Sequence, residues 1–144
     1  MTTEPVRLHY TINGGDLLSA GEASADMKRA LKQLGYPSDV IRNAAIAMYE
    51  GELNMVIHAG GGEADVEISR DAVRITLTDR GPGIPDVELA MREGYTTAPD
   101  SVRLLGFGAG MGLPNMKKYA DELSIDTRPG EGTTVRATVF NREA

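Results

Sequence analysis

Apolar and polar residues alternate around Val6, Leu8, Tyr10 and Ile12, which predicts a strand over residues 6–12. Asn13-Gly14-Gly15-Asp16 reads as a turn. Residues 17–34 then place Leu17, Leu18, Met27, Ala30, Leu31 and Leu34 at helical spacing. Gly35 suits the end of that helix, and Ser38 suits the N-cap of the next. Residues 39–59 form the longest apolar-rich helical stretch, stopped by Gly60-Gly61-Gly62. Residues 64–70 and 73–79 alternate again around a bend at Arg70-Asp71-Ala72, the signature of a hairpin. From Gly81 to Gly112 glycine and proline break every period except a short helix over 86–92. A helix over 113–120 and two strands, Leu123–Thr127 and Thr134–Phe140, close the chain around Pro129-Gly130-Glu131-Gly132. The order β-α-α-β-β-loop-α-β-β predicts an α/β domain with helices packed on one face of a sheet. It lacks the regular βαβ alternation of a dinucleotide-binding domain.

Composition narrows the chemistry. The 144 residues fit one domain, 1–144, with a sizeable core. Lys and Arg number 15 against 21 Asp and Glu, a net charge of −6, and the basic residues are scattered, which argues against direct nucleic-acid binding. Cysteine is absent, so disulfides and thiolate metal sites are excluded. His9 and His58 lie far apart with no His-Glu-x-x-His motif, which disfavours zinc. No apolar run reaches membrane-spanning length, and the first residues carry no secretory pattern. The expectation is a cytoplasmic domain with no membrane role.

Four blocks carry candidate chemistry. Glu50, Asn54 and His58 are spaced four apart, so they stack on one helix face amid Ala44, Ile46, Met48, Met55 and Val56. That stripe is either an ordinary solvated face or a site in which Asn54 offers its carbonyl to Mg²⁺ and Glu50 acts as a base. Asp79 ends a strand and runs into Gly81-Pro82-Gly83. It is either a plain Asp-x-Gly turn or an acceptor for an exocyclic amine such as that of adenine, with Gly81 and Gly83 letting backbone approach the base. Gly106, Gly108, Gly110 and Gly112 alternate just before a helix. They match neither the dinucleotide fingerprint nor a P-loop. They form either a flexible surface loop or a phosphate cradle whose backbone N–H groups, with Leu113 at the helix start, hold an anion. Gly132-Thr133-Thr134 is either a hairpin turn or a further contact to a base beside Asp79.

Taken in order, these blocks resemble the GHKL ATPase superfamily, and most closely its small branch of anti-sigma-factor serine kinases. The resemblance spans roughly residues 40–140. Glu50 and Asn54 match the family's N box, Asp79-x-Gly81-x-Gly83 its G1 box, and the 106–112 ladder its G2 box. It implies a two-layer fold with a mixed, mostly antiparallel sheet. It implies ATP and Mg²⁺ as cofactors, with Glu50 as base, Asn54 as magnesium ligand, Asp79 as adenine reader and Thr133 supporting the base. It also implies an ATP lid over about 94–112, whose Thr96-Thr97 stretch is similar to that of the anti-sigma kinases, placing Thr97 at the nucleotide. The implied activity is a protein serine/threonine kinase of a partner-switching module. Its partner would be a STAS-domain antagonist or scaffold, with a sigma factor or phosphatase as a further partner. Gly110 to Lys117 looks most like the switch kinases that act with stress-sensing scaffolds. The alternative is a non-catalytic protein that uses ATP only to hold a conformation capturing a sigma factor or other regulator.

Overall fold

A computed structural model describes residues 4–16, 18–84, 87–92 and 112–143. Strand β1 (Val6–Asn13) leads to helices α1 (Glu22–Gln33) and α2 (Ser38–His58), then to the hairpin β2 (Gly61–Ile68) and β3 (Ala72–Asp79). A four-residue helix α3 (Val87–Ala90), helix α4 (Gly112–Tyr119) and the hairpin β4 (Glu122–Arg128) and β5 (Gly132–Phe140) follow. The sheet order is β1-β2-β3-β5-β4. Every described pairing is antiparallel, so the expected mixed sheet has no parallel pair among the described strands.

Register explains why one face of the sheet is dry. Val66 sits between Leu8 and Ile75, Leu77 between Ala64 and Val135, and Ala137 between Ile75 and Leu123. These inward residues form one core with Met27 and Leu31 of α1, Ala44, Met48 and Met55 of α2, and Leu113 and Met116 of α4. The opposite face is polar. There His9 Nδ1 lies 2.6 Å from Asp65 Oδ1, and Arg7 pairs with Glu67 at 3.7 Å. Among the described residues no helix is long and apolar enough to cross a membrane.

Several boundaries differ from the periodicity, among them the strand expected over 64–70, which ends at Ile68, and three more have identifiable causes. Helix α1 starts at Glu22, not at residue 17. Ser19 donates its N–H to Asp16 Oδ1 at 3.3 Å, holding the chain in a side-chain-bonded turn, and Gly21 adopts φ 104°. The Glu52 carboxylate of α2 then accepts N–H bonds from Gly21 (2.8 Å), Ala23 (3.3 Å) and Ser24 (3.2 Å), which caps α1 at that point. Leu18 is consequently exposed, while Leu17 lies outside the described residues. Ser38 is not an N-cap. Pro37 occupies that place, its carbonyl accepting the first helical bond from Ile41 at 3.1 Å, so Ser38 is already inside α2 and makes no side-chain cap bond. Gly61 and Gly62 belong to β2 as well as following the helix stop, because a side chain on Gly61 would strike the Ile12 carbonyl at 2.3 Å. The expected role of Gly35 holds. At φ 81° it donates to Lys32 O while Tyr36 N–H donates to Leu31 O, closing the helix with paired reverse bonds.

Glu52 is 2 % exposed, and sequence periodicity gave no hint that it holds α1 onto α2. Glu52→Ala leaves three N–H donors between α1 and α2 without their acceptor. Unfolding in urea should show a loss of about 2–4 kcal/mol relative to wild type. An unchanged midpoint would show that water or another group takes over the cap.

Candidate nucleotide site

The site is built where the C-terminal half of α2, the end of β3, the start of α4 and the β4–β5 hairpin converge. Asn54, His58, Asp79, Gly83 and Thr133 line one cavity whose floor is apolar, formed by Met55, Leu77, Met116 and Val135. Gly51 makes this convergence possible. A Cβ there would fall 2.0 Å from Leu77 Cδ1 and 3.2 Å from Met116 Cε, so only glycine lets β3 and α4 close on the helix at this level.

Asp79 is fixed by its backbone neighbours. Its Oδ1 accepts the N–H of Gly81 at 2.9 Å and that of Thr133 at 3.2 Å. Oδ2 has no protein partner among the described residues, so the half-buried carboxylate presents one oriented acceptor. Thr133 is buried, and its hydroxyl lies 2.9 Å from that of Thr127, which also accepts the N–H of Ile84 at 2.8 Å. Together with the 2.8 Å bond from Gly130 N–H to the Pro82 carbonyl, these contacts lock the 81–84 loop onto the closing hairpin.

The glycines of this loop have packing reasons of their own. A Cβ on Gly81 would lie 2.7 Å from Ala59 Cα at the end of α2. Gly83 adopts φ 82° with the Arg128 carbonyl 2.8 Å from its Cβ position. Gly132 adopts φ 127° with the Asp79 carbonyl 2.1 Å away. Gly81 does not line the cavity. Its contribution is the N–H that orients Asp79.

The α2 stripe divides by depth. Asn54 lies at the start of α4, where a Cβ on Gly112 would come within 2.8 Å of its Oδ1. His58 lines the cavity one turn beyond Asn54, and burial pushes its imidazole below the usual histidine value. Glu50 lies one turn before Asn54, half-buried, with its Oε1 accepting a 3.3 Å bond from Asn115 Nδ2 of α4. Burial raises its carboxyl above the ordinary range, and the Asn115 bond partly opposes that.

Asn54, Asp79, Gly83 and Thr133 are thus brought together as the sequence suggested, and Glu50 flanks them. Gly112 and Leu113 begin α4 beside Asn54, with the Leu113 side chain in the core, so only its backbone faces the expected role. Thr97, Gly106, Gly108 and Gly110 lie outside the described residues. Sequence reasoning missed Asn115 and Thr127. Thr127 was visible in principle, since a short hairpin around Pro129-Gly130 sets it opposite Thr133. Asn115 carried no periodic signal that would pair it with Glu50, 65 residues earlier.

Residues 39–143 match the family of histidine kinase-, DNA gyrase B- and HSP90-like ATPases. The chain belongs to this ATPase family. The chain is also similar to curated proteins. Serine/threonine-protein kinase RsbT of Bacillus subtilis strain 168 is 32% identical over 119 residues, covering 80% of this chain and 84% of RsbT. An anti-sigma F factor of Thermoanaerobacter sp. strain X514 is 33% identical over 119 residues, covering 83% of this chain and 71% of its own. The fold is shared with solved structures. One holds the RsbU and RsbW domains of a Mycobacterium tuberculosis protein (TM-score 0.64, 19% identity, 95% of this chain and 33% of that one). Another is the SiaB–SiaC complex of Pseudomonas aeruginosa (TM-score 0.61, 11% identity, 95% of this chain and 90% of that one). The GHKL resemblance read from the four blocks is therefore correct, and so is the narrowing toward serine kinases and anti-sigma factors.

Proposed function

We propose that this ATPase-family domain is a Mg²⁺-dependent protein serine/threonine kinase of a partner-switching module. Its substrate would be a STAS-domain antagonist or scaffold, with a sigma factor or phosphatase as the other partner. The carrying observation is Glu50. It is a half-buried carboxylate with a raised pKa, held by Asn115 on the same helix face as Asn54. A carboxylate kept in that state suits a general base working near neutral pH.

The residues fit the nucleotide and the metal. Asp79 offers an oriented acceptor without a protein partner, which suits the adenine amino group. Asn54 offers an oxygen ligand at the start of α4, in keeping with a cation that takes few protein ligands and completes its shell with phosphate and water. Bound Mg-ATP would supply the transferable γ-phosphoryl group. The N–H groups at the start of α4 would steady the phosphates. Glu50 would take the proton of the incoming serine or threonine hydroxyl as its oxygen bonds to phosphorus and the bond to the leaving ADP breaks.

Incubation with γ-labelled ATP and a STAS-domain protein tests this reading. Label should appear on a partner serine or threonine, dependent on Mg²⁺. Tight ATP-dependent capture of the partner with no transferred label would instead establish the passive binder.

A further inference from the structure

We propose that the free edge of β1 binds an extended, basic segment of a protein partner as a sixth strand of the sheet. The proposal concerns the side of the fold away from the nucleotide cavity, and it stands whether or not the chain is a kinase.

Five consecutive residues, His9 to Asn13, line a single groove of about 440 Å³. Side chains along a strand alternate between the two faces of the sheet. A cavity that touches all five therefore follows the backbone edge of the strand and lies over neither face. The far wall is α1, through Glu22, Ala23, Asp26 and Arg29. The volume is in the range of pockets that hold small ligands, ~300–1,000 Å³.

The edge itself is open. β1 pairs only with β2 among the described strands, in eight continuous pairs from Val6↔Ile68 to Asn13↔Gly61. It contains no proline and no bulge, two devices by which proteins protect such edges. Its outward N–H and C=O groups are the template on which an extended peptide adds a strand.

Charge selects the occupant. Glu22, Asp26 and Glu52 line the groove against Arg29 and His9, and the His9 imidazole is itself held by Asp65 at 2.6 Å. Asp26 is shared between the Tyr10 hydroxyl (2.6 Å) and Arg29 (3.3 Å), and Glu52 is taken up by the α1 cap. The exposed Glu22 carboxylate has no side-chain partner among the described residues. Buried Ala23 and Val56 supply apolar surface beneath. A strand alternating basic and aliphatic residues complements this lining.

The test uses the full chain, without nucleotide, and an acetylated, amidated octapeptide of alternating lysine and valine. Titration followed by amide NMR shifts should map onto residues 6–13 and 22–29. Thr11→Lys combined with Glu22→Lys, both at exposed positions, should weaken binding about three- to tenfold. An octapeptide of alternating glutamate and valine should bind more weakly than the lysine peptide. The proposal is overturned by the absence of shifts at millimolar peptide, by shifts confined to other elements, or by equal binding of the acidic peptide. It is overturned equally by a sedimentation-detected homodimer that Thr11→Lys disperses, since the occupant would then be a second copy of the chain.

Discussion

Asp79→Asn is expected to remove most of the affinity for ATP while leaving the fold intact. The geometry leaves the new amide no good orientation. If its oxygen keeps the place of Oδ1, accepting from Gly81 and Thr133, its NH₂ group replaces the open acceptor and meets the adenine amine donor to donor. If it flips, the NH₂ group faces the N–H groups of Gly81 and Thr133, and two donors lose their acceptor. A hydrogen bond to a charged acceptor contributes ~1.5–3 kcal/mol, so affinity should fall about ten- to hundredfold or more. The same argument predicts weak binding of GTP, whose base presents a carbonyl where adenine presents an amine. Calorimetry giving equal ATP affinity for wild type and Asp79→Asn would remove Asp79 as the purine reader.

Glu50→Gln separates chemistry from binding and from stability. A positioned base contributes ~10²–10⁴-fold in rate, and phosphoryl transfer should drop by that order while ATP affinity stays near wild type. The glutamine retains an oxygen able to accept from Asn115 Nδ2. Stability should change with a definite sign. Burial raises the folded-state pKa of Glu50 above its ordinary value of 4.5, so the folded chain holds this proton more tightly than the unfolded chain. That advantage is fully present below about 4.5 and is lost as pH rises through the raised value. At neutral pH wild-type Glu50 is therefore a destabilising charge, and the neutral glutamine should make the protein more resistant to denaturant at pH 7 than at pH 4, relative to wild type. The pH–rate profile of the wild type should show its acidic limb above the ordinary glutamate range. Full activity of the glutamine variant would exclude Glu50 as the base, and a loss of stability confined to neutral pH would exclude the raised carboxyl.

Much of this site was legible because its parts are local. Glu50, Asn54 and His58 fall on one face of α2 by helical spacing alone. Asp79 sits at a strand end marked by the glycines and proline that follow it. Where local reading went astray, a distant side chain had intervened. The apolar spacing that began at Leu17 described a longer helix than exists, because Glu52, 28 to 31 residues beyond the N–H groups it binds, caps α1 through Gly21, Ala23 and Ser24. Gly81, Gly83 and Gly132 were readable as glycines with a purpose, but the purpose of proximity to a base was only one candidate. In the fold each is required by a backbone or helix contact of its own.

The order of the described elements and the family could be read from periodicity and from motifs a few residues long. That β5 inserts between β3 and β4, and so delivers the Thr133 N–H to Asp79, emerges from the packing of the elements. The same packing sets Asn115 of α4 against Glu50, makes Gly51 the space for Leu77, and leaves β1 at the edge of the described sheet, facing α1. The physical reason is common to all four. Periodicity reports which side of an element is apolar, whereas hydrogen-bond partners and close approaches depend on which elements meet, and that is settled by packing the whole core at once.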